Sequence, residues 1–172
     1  MPSLSFAPAL GPAPRALVLG SLPGAESLRR GEYYGLPANR FWWIMGRLVG
    51  ALPALPYAER LERLTGAGLA LWDVCQAAER PGSLDAAIIP ASVVPNAIGA
   101  LVAAHPSLRL LAFNGQAAHA IFRRHVLPGA APSLAALPRV VLPSTSPAHA
   151  GMPAEQKFSR WHAALAPVIL PA

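Results

Sequence analysis

Four short apolar runs alternate along the chain with longer helix-like stretches. The runs read ALVLG, LALWD, LRLLAF and RVVL and occupy residues 16–20, 69–73, 108–113 and 139–142. Each run is nearly free of polar residues, which is typical of parallel strands that are covered on both faces. The pattern therefore predicts four parallel strands in one sheet.

The stretches between these runs carry helix signals. Asparagine precedes two of them, proline stands at the start of two others, and one carries its charges on one side. The predicted helices span residues 40–52, 57–65, 95–104, 115–126 and 153–166. Strands that alternate with helices indicate a three-layer α/β/α sandwich around a four-stranded parallel sheet. We expect a single domain over residues 1–172, with the proline-rich residues 1–14 as a loosely ordered lead-in.

Polar, loop-forming segments follow all four predicted strands. Ligands of open α/β sheets bind beyond the carboxyl ends of the strands, so these segments are the place to expect a site. They are Gly20-Ser21-Leu22-Pro23-Gly24, Asp73 with the later segment RPGSLD at 80–85, Asn114-Gly115, and Pro143-Ser144-Thr145-Ser146-Pro147-Ala148-His149. Turn formation or helix capping is the alternative interpretation of each segment alone.

Composition limits the chemistry of such a site. Hydrophobic residues make up 53% of the 172 residues and charged residues 13%, which indicates a folded globular chain. The 14 basic residues, of which Lys157 is the only lysine, outnumber 8 acidic ones. The resulting positive charge favours a nucleic-acid partner, although an ordinary basic protein is the alternative. The scarcity of carboxylates counts against a two-metal nuclease.

The sequence gives no sign of a metal site, a cofactor or a membrane span. Cys75 is the only cysteine, which excludes an internal disulfide, a cysteine-based zinc site and an iron–sulfur cluster. The first loop matches neither GxGxxG, a Walker loop nor the GxSxG elbow of hydrolases. No apolar run approaches 18 residues and the start of the chain lacks signal-peptide features. We expect a cytoplasmic monomer without cofactor or metal.

Several of these segments together resemble the uracil-DNA glycosylase superfamily. The resemblance rests on GSLPG at 20–24, YYGLPANRFWW at 33–43, LWDV at 71–74, GSLD at 82–85 and PSTSPAHA at 143–150. The PANRFW hexamer resembles the mismatch-specific uracil/thymine glycosylases. The other segments resemble the hypoxanthine-DNA (deoxyinosine) glycosylase branch, and the match covers roughly residues 16–165.

Position 22 favours the hypoxanthine branch. Most of the superfamily has Asp or Asn there to orient the attacking water, whereas Leu22 offers no polar group. The resemblance implies that Asn39 is the catalytic residue instead. It also implies a monofunctional enzyme that flips deaminated bases, hypoxanthine first, out of double-stranded DNA and hydrolyses the N-glycosidic bond; action on single strands is left open. A lyase step is not expected, because Lys157 falls on a helix that we place away from the strand ends.

The resemblance also implies roles for the other candidate residues. Tyr34 would stack on the flipped base, and Phe41 and Trp42 would shape the pocket or belong to the helix core. Asp73 would read the base edge, with Asp85 as a second candidate or a helix cap, and Asn114 would bind the base or a phosphate or cap the next helix. Base contacts are expected from Gly20, Ser21, Leu22, Pro23, Tyr34, Phe41, Asp73 and Asn114, and DNA-backbone contacts from Ser144, Thr145, Ser146, Pro147 and His149. Relatives more usually have asparagine at position 149.

Three alternatives stay open. One is a mismatch-specific uracil/thymine glycosylase, which the PANRFW hexamer supports. Another is a non-catalytic DNA- or nucleotide-binding domain of the same fold. A third, a hydrolase using Ser146 and His149, is weak, because only two aspartates are available to complete a triad.

Overall fold

A parallel sheet with helices on both faces forms the centre of the computed structural model, which describes residues 1–169 and confirms the predicted fold class. The strands are β1 (Ser3–Leu4), β2 (Ala16–Gly20), β3 (Leu69–Asp73), β4 (Cys75–Ala78), β5 (Val94–Pro95), β6 (Leu110–Asn114) and β7 (Arg139–Leu142). The α-helices are α1 (Ala25–Arg30), α2 (Phe41–Val49), α3 (Tyr57–Gly66), α4 (Ile98–Ala104), α5 (Gln116–His125), α6 (Pro132–Ala135) and α7 (Ala154–Leu165). The main sheet has the order β3-β2-β6-β7 with all neighbours parallel, and β1, β4 and β5 form a small antiparallel sheet.

The alternation of side chains along the central strand β2 produces the three layers. Ala16 and Val18 face a core formed with α2, α3 and α7, whereas Leu17 and Leu19 face a second core formed with α4, α5 and α6. Every residue of β2 is buried, as the uninterrupted apolar run requires. The sheet is therefore covered on both faces, and only its edges and the ends of its strands remain for a binding site.

Three predicted strands have the bounds that the structure gives them, and the third along the chain differs. It begins at Leu110 instead of position 108, because Leu108 donates to His105 in a turn. The short elements α1, α6, β1, β4 and β5 were not predicted. Each has six residues or fewer, which is too short for a periodic pattern to identify.

The proline-rich first residues make specific attachments, although the sequence suggested a loosely ordered lead-in. β1 pairs with β4, and the backbone of Ala9 pairs with β3. The carbonyl of Phe6 accepts a hydrogen bond from Trp72 Nε1 at 3.1 Å, and that of Ala7 accepts one from the Tyr33 hydroxyl at 2.8 Å. Backbone pairing thus holds a segment whose composition gave no strand signal.

Candidate active site

The carboxyl ends of the four parallel strands bring the predicted segments to one edge of the sheet. Gly20 lies beside Asp73 in the pairing of β2 with β3, and Asn114 lies beside Leu142 in the pairing of β6 with β7. Because β2 also pairs with β6, these strand ends form a continuous row. The candidate active site is built on this row.

The first loop, residues 20–24, turns its carbonyl groups toward the protein. Val74 N–H donates to the carbonyl of Gly20 at 2.8 Å, and Cys75 N–H donates to that of Ser21 at 3.1 Å. The Arg80 guanidinium donates to the carbonyls of the next two residues of the loop. The N–H groups of Ser21, Leu22 and Gly24 donate to no acceptor within the described part of the chain.

The side chains of this loop are not directed at a ligand. Leu22 is buried in a small apolar cluster with Cys75, Ala78 and Ile88, so only its backbone is available to a base. The Ser21 hydroxyl donates to Asp85 Oδ1 at 2.6 Å, and Pro23 is buried. Ser21 and Leu22 can therefore contact a base only through their backbone N–H groups, and Pro23, which has no N–H and whose carbonyl accepts from Arg80, offers no such contact.

Asp73 and Tyr34 converge over Gly20. A Cβ atom added to Gly20 would lie 2.6 Å from Asp73 Oδ1 and 3.0 Å from the Tyr34 hydroxyl oxygen. Asp73 Oδ2 and the Tyr34 hydroxyl are both buried and have no hydrogen-bond partner within residues 1–169. Buried polar atoms without partners are rare in proteins, and a catalytic or binding role is one explanation for them. Only a glycine fits at position 20 beside these two groups.

Burial changes the protonation of both groups. It raises the pKa of Asp73 to about 7, with the negative charge of Asp85 acting in the same direction and the positive charge of Arg80 acting against it. Burial, followed by the charge of Asp73, also raises the pKa of Tyr34. Tyr34 is therefore a neutral hydroxyl at physiological pH, and Asp73 is poised between its two forms.

The Tyr34 ring is partly exposed and is supported on one face by another aromatic ring. It stacks on Phe41, with ring centroids 4.0 Å apart and an interplanar angle of 27°. Tyr34 has a φ of 54°, the only positive φ of a non-glycine residue within the described range. Such a backbone conformation is costly and is often found at functional sites. Phe41 is completely buried, so it supports the Tyr34 ring and is not itself available to contact a base.

Asn39 lies half-buried at the end of the loop that leads into α2. Its Oδ1 accepts a hydrogen bond from Phe41 N–H at 2.9 Å, and its own N–H donates to the carbonyl of Leu36 at 2.9 Å. The adjacent Arg40 N–H donates to the Thr145 carbonyl at 2.9 Å. These bonds fix the Asn39 side chain and tie its loop to the segment that follows β7.

Asn114 and Thr145 satisfy each other. Asn114 Nδ2 donates to Thr145 Oγ1 at 2.9 Å, and Asn114 Oδ1 accepts from Thr145 N–H at 3.0 Å. Thr145 is completely buried, so its hydroxyl does not reach a DNA phosphate as the sequence had suggested. Asn114 does not cap the following helix, whose cap position is Gly115 without a side-chain bond. Both residues connect the ends of β6 and β7.

A basic groove of about 430 Å³ lies beside the Asn39 loop and the segment after β7. Its lining residues are Ala38, Arg40, Ser146, Pro147, His149, Ala150, Met152, Pro153, Ala154 and Lys157. Lys157 Nζ donates to the carbonyl of His149 at 2.7 Å, and burial together with the charge of Arg40 lowers the pKa of Lys157. The expectation that Lys157 lies away from the strand ends is wrong, because α7 packs along β7 and brings the lysine to this groove.

The hydroxyls of the segment after β7 also shape the loop itself. Ser144 Oγ accepts from Ser146 N–H at 3.2 Å, and Ser146 Oγ accepts from Ala148 N–H at 3.2 Å. Ser146, Pro147 and His149 line the basic groove, whereas Ser144 does not. Of the five predicted DNA-contact residues, three thus line this groove.

Arg80 belongs to the RPGSLD segment, which is expected near the site, but its residue type does not indicate a specific role there. Its side chain is 2% exposed and lies between the first loop and Asp85. Asp85 was considered as a helix cap, but it makes no such bond and accepts from Ser21 instead. Only the nearby acid of the RPGSLD segment hinted that this arginine, among 13, has an internal partner.

Within residues 1–169, no cluster of three or more His, Cys, Asp or Glu side chains is arranged to hold a metal ion. No helix in the same range is long and apolar enough to span a membrane.

Comparisons with known proteins identify the family and several relatives of this chain. The family model of the uracil DNA glycosylase superfamily matches residues 8–166. A hypoxanthine DNA glycosylase of Methanosarcina barkeri is 38% identical over 117 residues, which cover 67% of this chain and 73% of that protein. A hypoxanthine DNA glycosylase of Methanosarcina acetivorans is 41% identical over 103 residues, or 59% of this chain and 64% of that protein. A solution NMR structure from Methanosarcina acetivorans, described as a candidate uracil DNA glycosylase, has a TM-score of 0.77 and 33% identity over 95% of this chain and 96% of that one.

Proposed function

Because this chain belongs to the uracil DNA glycosylase superfamily and is a DNA glycosylase, we propose that it is a monofunctional enzyme that excises deaminated bases, hypoxanthine first, from DNA. The observation that carries this proposal is the convergence of the Tyr34 hydroxyl and the Asp73 carboxylate over Gly20. An aromatic platform with unpartnered polar atoms at its end suits a flipped base. The names of the two Methanosarcina relatives support hypoxanthine as that base.

Base recognition uses Tyr34 and Asp73. The flipped base stacks on the face of Tyr34 opposite Phe41, and base–aromatic stacking is worth about 1–3 kcal/mol per base. Asp73, when ionised, accepts the N1–H of hypoxanthine. Adenine has an acceptor at N1, so two acceptors would face each other in the buried corner and adenine would be rejected.

The first loop stabilises the leaving base. As the bond between C1′ and the base nitrogen breaks, its electron pair moves onto the base, and the oxygen of a water molecule bonds to C1′. The water proton that is released restores the neutral base. In a trans peptide the N–H points opposite to the carbonyl, so the inward carbonyls of Gly20 and Ser21 turn the N–H groups of Ser21 and Leu22 outward, toward the developing negative charge.

Asn39 positions the attacking water. An amide is a weak base, but a dissociative reaction depends more on placement of the water than on removal of its proton. The bond from Phe41 N–H occupies one lone pair of Asn39 Oδ1 and leaves the second for water. This arrangement takes over the role that a polar residue at position 22 would have.

The basic groove binds the DNA strand on which the lesion lies. Arg40 supplies the charge for a phosphate contact, and Ser146 and His149 lie along the same wall. Cytoplasmic double-stranded DNA is the proposed substrate, with the protein acting as a monomer.

The test is an excision assay on duplexes that carry one deoxyinosine or one deoxyuridine, followed by alkali. We expect breaks at inosine for the wild type and for Gln76→Ala, which removes an exposed amide, and none for Asn39→Ala, which should still bind the duplex. Breaks only at uracil would indicate the mismatch-specific branch. Binding without breaks at either base would indicate a non-catalytic domain.

The monofunctional assignment is tested separately. Omitting alkali should leave an abasic site and an intact strand, and borohydride should trap no protein on the DNA. A trapped product that disappears in Lys157→Gln would assign a lyase step to this lysine and refute the assignment.

A further inference from the structure

Arg80 is a buried cation that donates to backbone carbonyls of the first loop. Its Nη1 donates to the Leu22 carbonyl at 3.2 Å and lies 3.5 Å from Asp85 Oδ1, and its Nη2 donates to the Pro23 carbonyl. Asp85 in turn accepts from the Ser21 hydroxyl. One guanidinium and one carboxylate thus hold three consecutive residues of the loop.

This arrangement is a poor way to gain stability alone. The Arg80 side chain is almost completely buried, and its Nε has no partner within the described residues. Its carboxylate partner is 38% exposed and stands at the limit of hydrogen-bond distance. A buried ion pair is weak evidence for stability, because replacing both partners by well-packed apolar residues is often neutral or stabilising.

The contacts of Arg80 and of other backbone donors together set the direction of the loop N–H groups. Because the Pro23 carbonyl points at Arg80, the Gly24 N–H of the same peptide points away from it. The Gly20 and Ser21 carbonyls accept from other backbone donors, so the N–H groups of the residues that follow them point away from those donors. Arg80 therefore orients the Gly24 N–H directly, and its guanidinium adds positive potential to the loop.

We propose that Arg80 is a positioning residue that holds the first loop with its N–H groups toward the leaving base and, with its buried charge, favours the negative charge that develops on that base. The inference rests on the proposed function and deepens it. Asp85 and Ser21 complete the anchor. The role is distinct from base reading, because Arg80 touches the loop backbone only from the protein side.

The test measures single-turnover excision from the inosine duplex by Arg80→Gln, Arg80→Lys and Arg109→Gln. Arg109 is an exposed arginine just before β6, at the opposite end of the sheet, so its replacement makes the same charge change away from the site. We expect Arg80→Gln to lose about 10²-fold in the single-turnover rate constant, the effect typical of one misplaced stabilising group. Affinity for a duplex with 2′-fluorinated deoxyinosine, which resists cleavage because fluorine destabilises the cationic sugar, should stay within a few-fold. Arg80→Lys should recover part of the rate, and Arg109→Gln should match the wild type.

The pH profile provides a readout that a purely structural role would not move. The charged and titratable groups that act on Asp73 or respond to its charge are Arg80, Asp85, Tyr33, Tyr34 and Cys75. Arg80 lowers the pKa of Asp73 and Asp85 raises it. The excision rate should rise with pH as Asp73 ionises, and we call this rise the acidic limb of the pH profile. The acidic limb should therefore move to higher pH in Arg80→Gln and to lower pH in Asp85→Asn.

The outcomes separate this inference from the function on which it rests. If the wild type is active and Arg80→Gln excises as fast as Arg109→Gln, the inference is overturned and the proposed function stands. The same holds if the acidic limbs of the Arg80→Gln and Asp85→Asn profiles coincide with that of the wild type. A wild type that excises neither base would overturn both. If Arg80→Gln does not fold, Asp85→Asn, at a half-exposed position, still tests the inference. An acidic limb that stays in place or moves to higher pH in Asp85→Asn would refute the influence of these charges on the site.

Discussion

Gly20→Ala adds one methyl group to the corner where Asp73 and Tyr34 meet. The new Cβ would lie 2.6 Å from Asp73 Oδ1 and 3.0 Å from the Tyr34 hydroxyl, whereas ordinary contacts begin at 3.4 Å. The backbone of Gly20 is held by its pairing with Asp73 of β3 and by the Val74 N–H that donates to its carbonyl, so the side chains have to move. Asp73 is the nearer of the two and is expected to move most.

The size of the effect follows from this displacement. Asp73 Oδ1 has to retreat by an amount approaching about 1 Å, and a misplacement of that size costs about 10²-fold in rate. Overpacking of a filled site costs about 1–3 kcal/mol of stability. We therefore expect excision of hypoxanthine to fall by about 10²-fold while the protein remains folded.

The measurement is single-turnover excision at saturating enzyme, together with thermal unfolding. Gly66→Ala at the end of α3 is the matched control, because its Cβ would also meet nothing within 4 Å and it lies outside the first loop. The control should keep its activity within a few-fold. Equal rates for the two variants would refute the idea that Asp73 and Tyr34 act on the base.

Three further predictions concern protonation, packing and DNA binding. The raised pKa of Asp73, about 7, means that the folded protein holds a proton that the unfolded chain has released, so stability should fall as pH rises from about 4 to 7. Asp73→Asn should flatten this fall in a series of melting curves, and wild-type excision of hypoxanthine should rise over the upper part of the same window if the ionised form accepts N1–H. Thr145→Val should cost about 1–3 kcal/mol in urea unfolding, because the buried Nδ2 of Asn114 loses its acceptor; an unchanged midpoint would contradict the assigned bond. Arg40→Gln should lower the slope of log affinity against log salt by about 0.9, and an unchanged slope would exclude a phosphate contact there.

The strand-end row was predictable because its signals are local. An apolar run ending in Gly20 or Asp73 both defines a buried strand and places the next residues at its carboxyl end. The resemblance added Tyr34 and Asn39, which no periodicity would identify. The structure then supplied the convergence of Tyr34 with Asp73, which depends on pairing between distant segments.

The parts that failed depend on burial, which residue type does not reveal. Three hydroxyls between two prolines suggested a phosphate loop, yet Thr145 is the buried partner of Asn114. Residue type did not indicate that Arg80 is buried, because an arginine is ordinarily exposed, and only its contacts with the first loop show its position. Lys157 was misplaced because a helix alone does not show which strand end it approaches.

The attachments of the first ten residues reach the neighbours of the base platform. Tyr33, bonded to Ala7, precedes Tyr34, and Trp72, bonded to Phe6, precedes Asp73. Phe6 also packs edge-to-face on Tyr33, with ring centroids 5.2 Å apart. A truncated protein that starts at β2 would keep every predicted site residue. It would still lose the hydrogen bonds of Ala7 and Phe6 to the neighbours of Tyr34 and Asp73, so we expect the truncation to disturb the candidate active site.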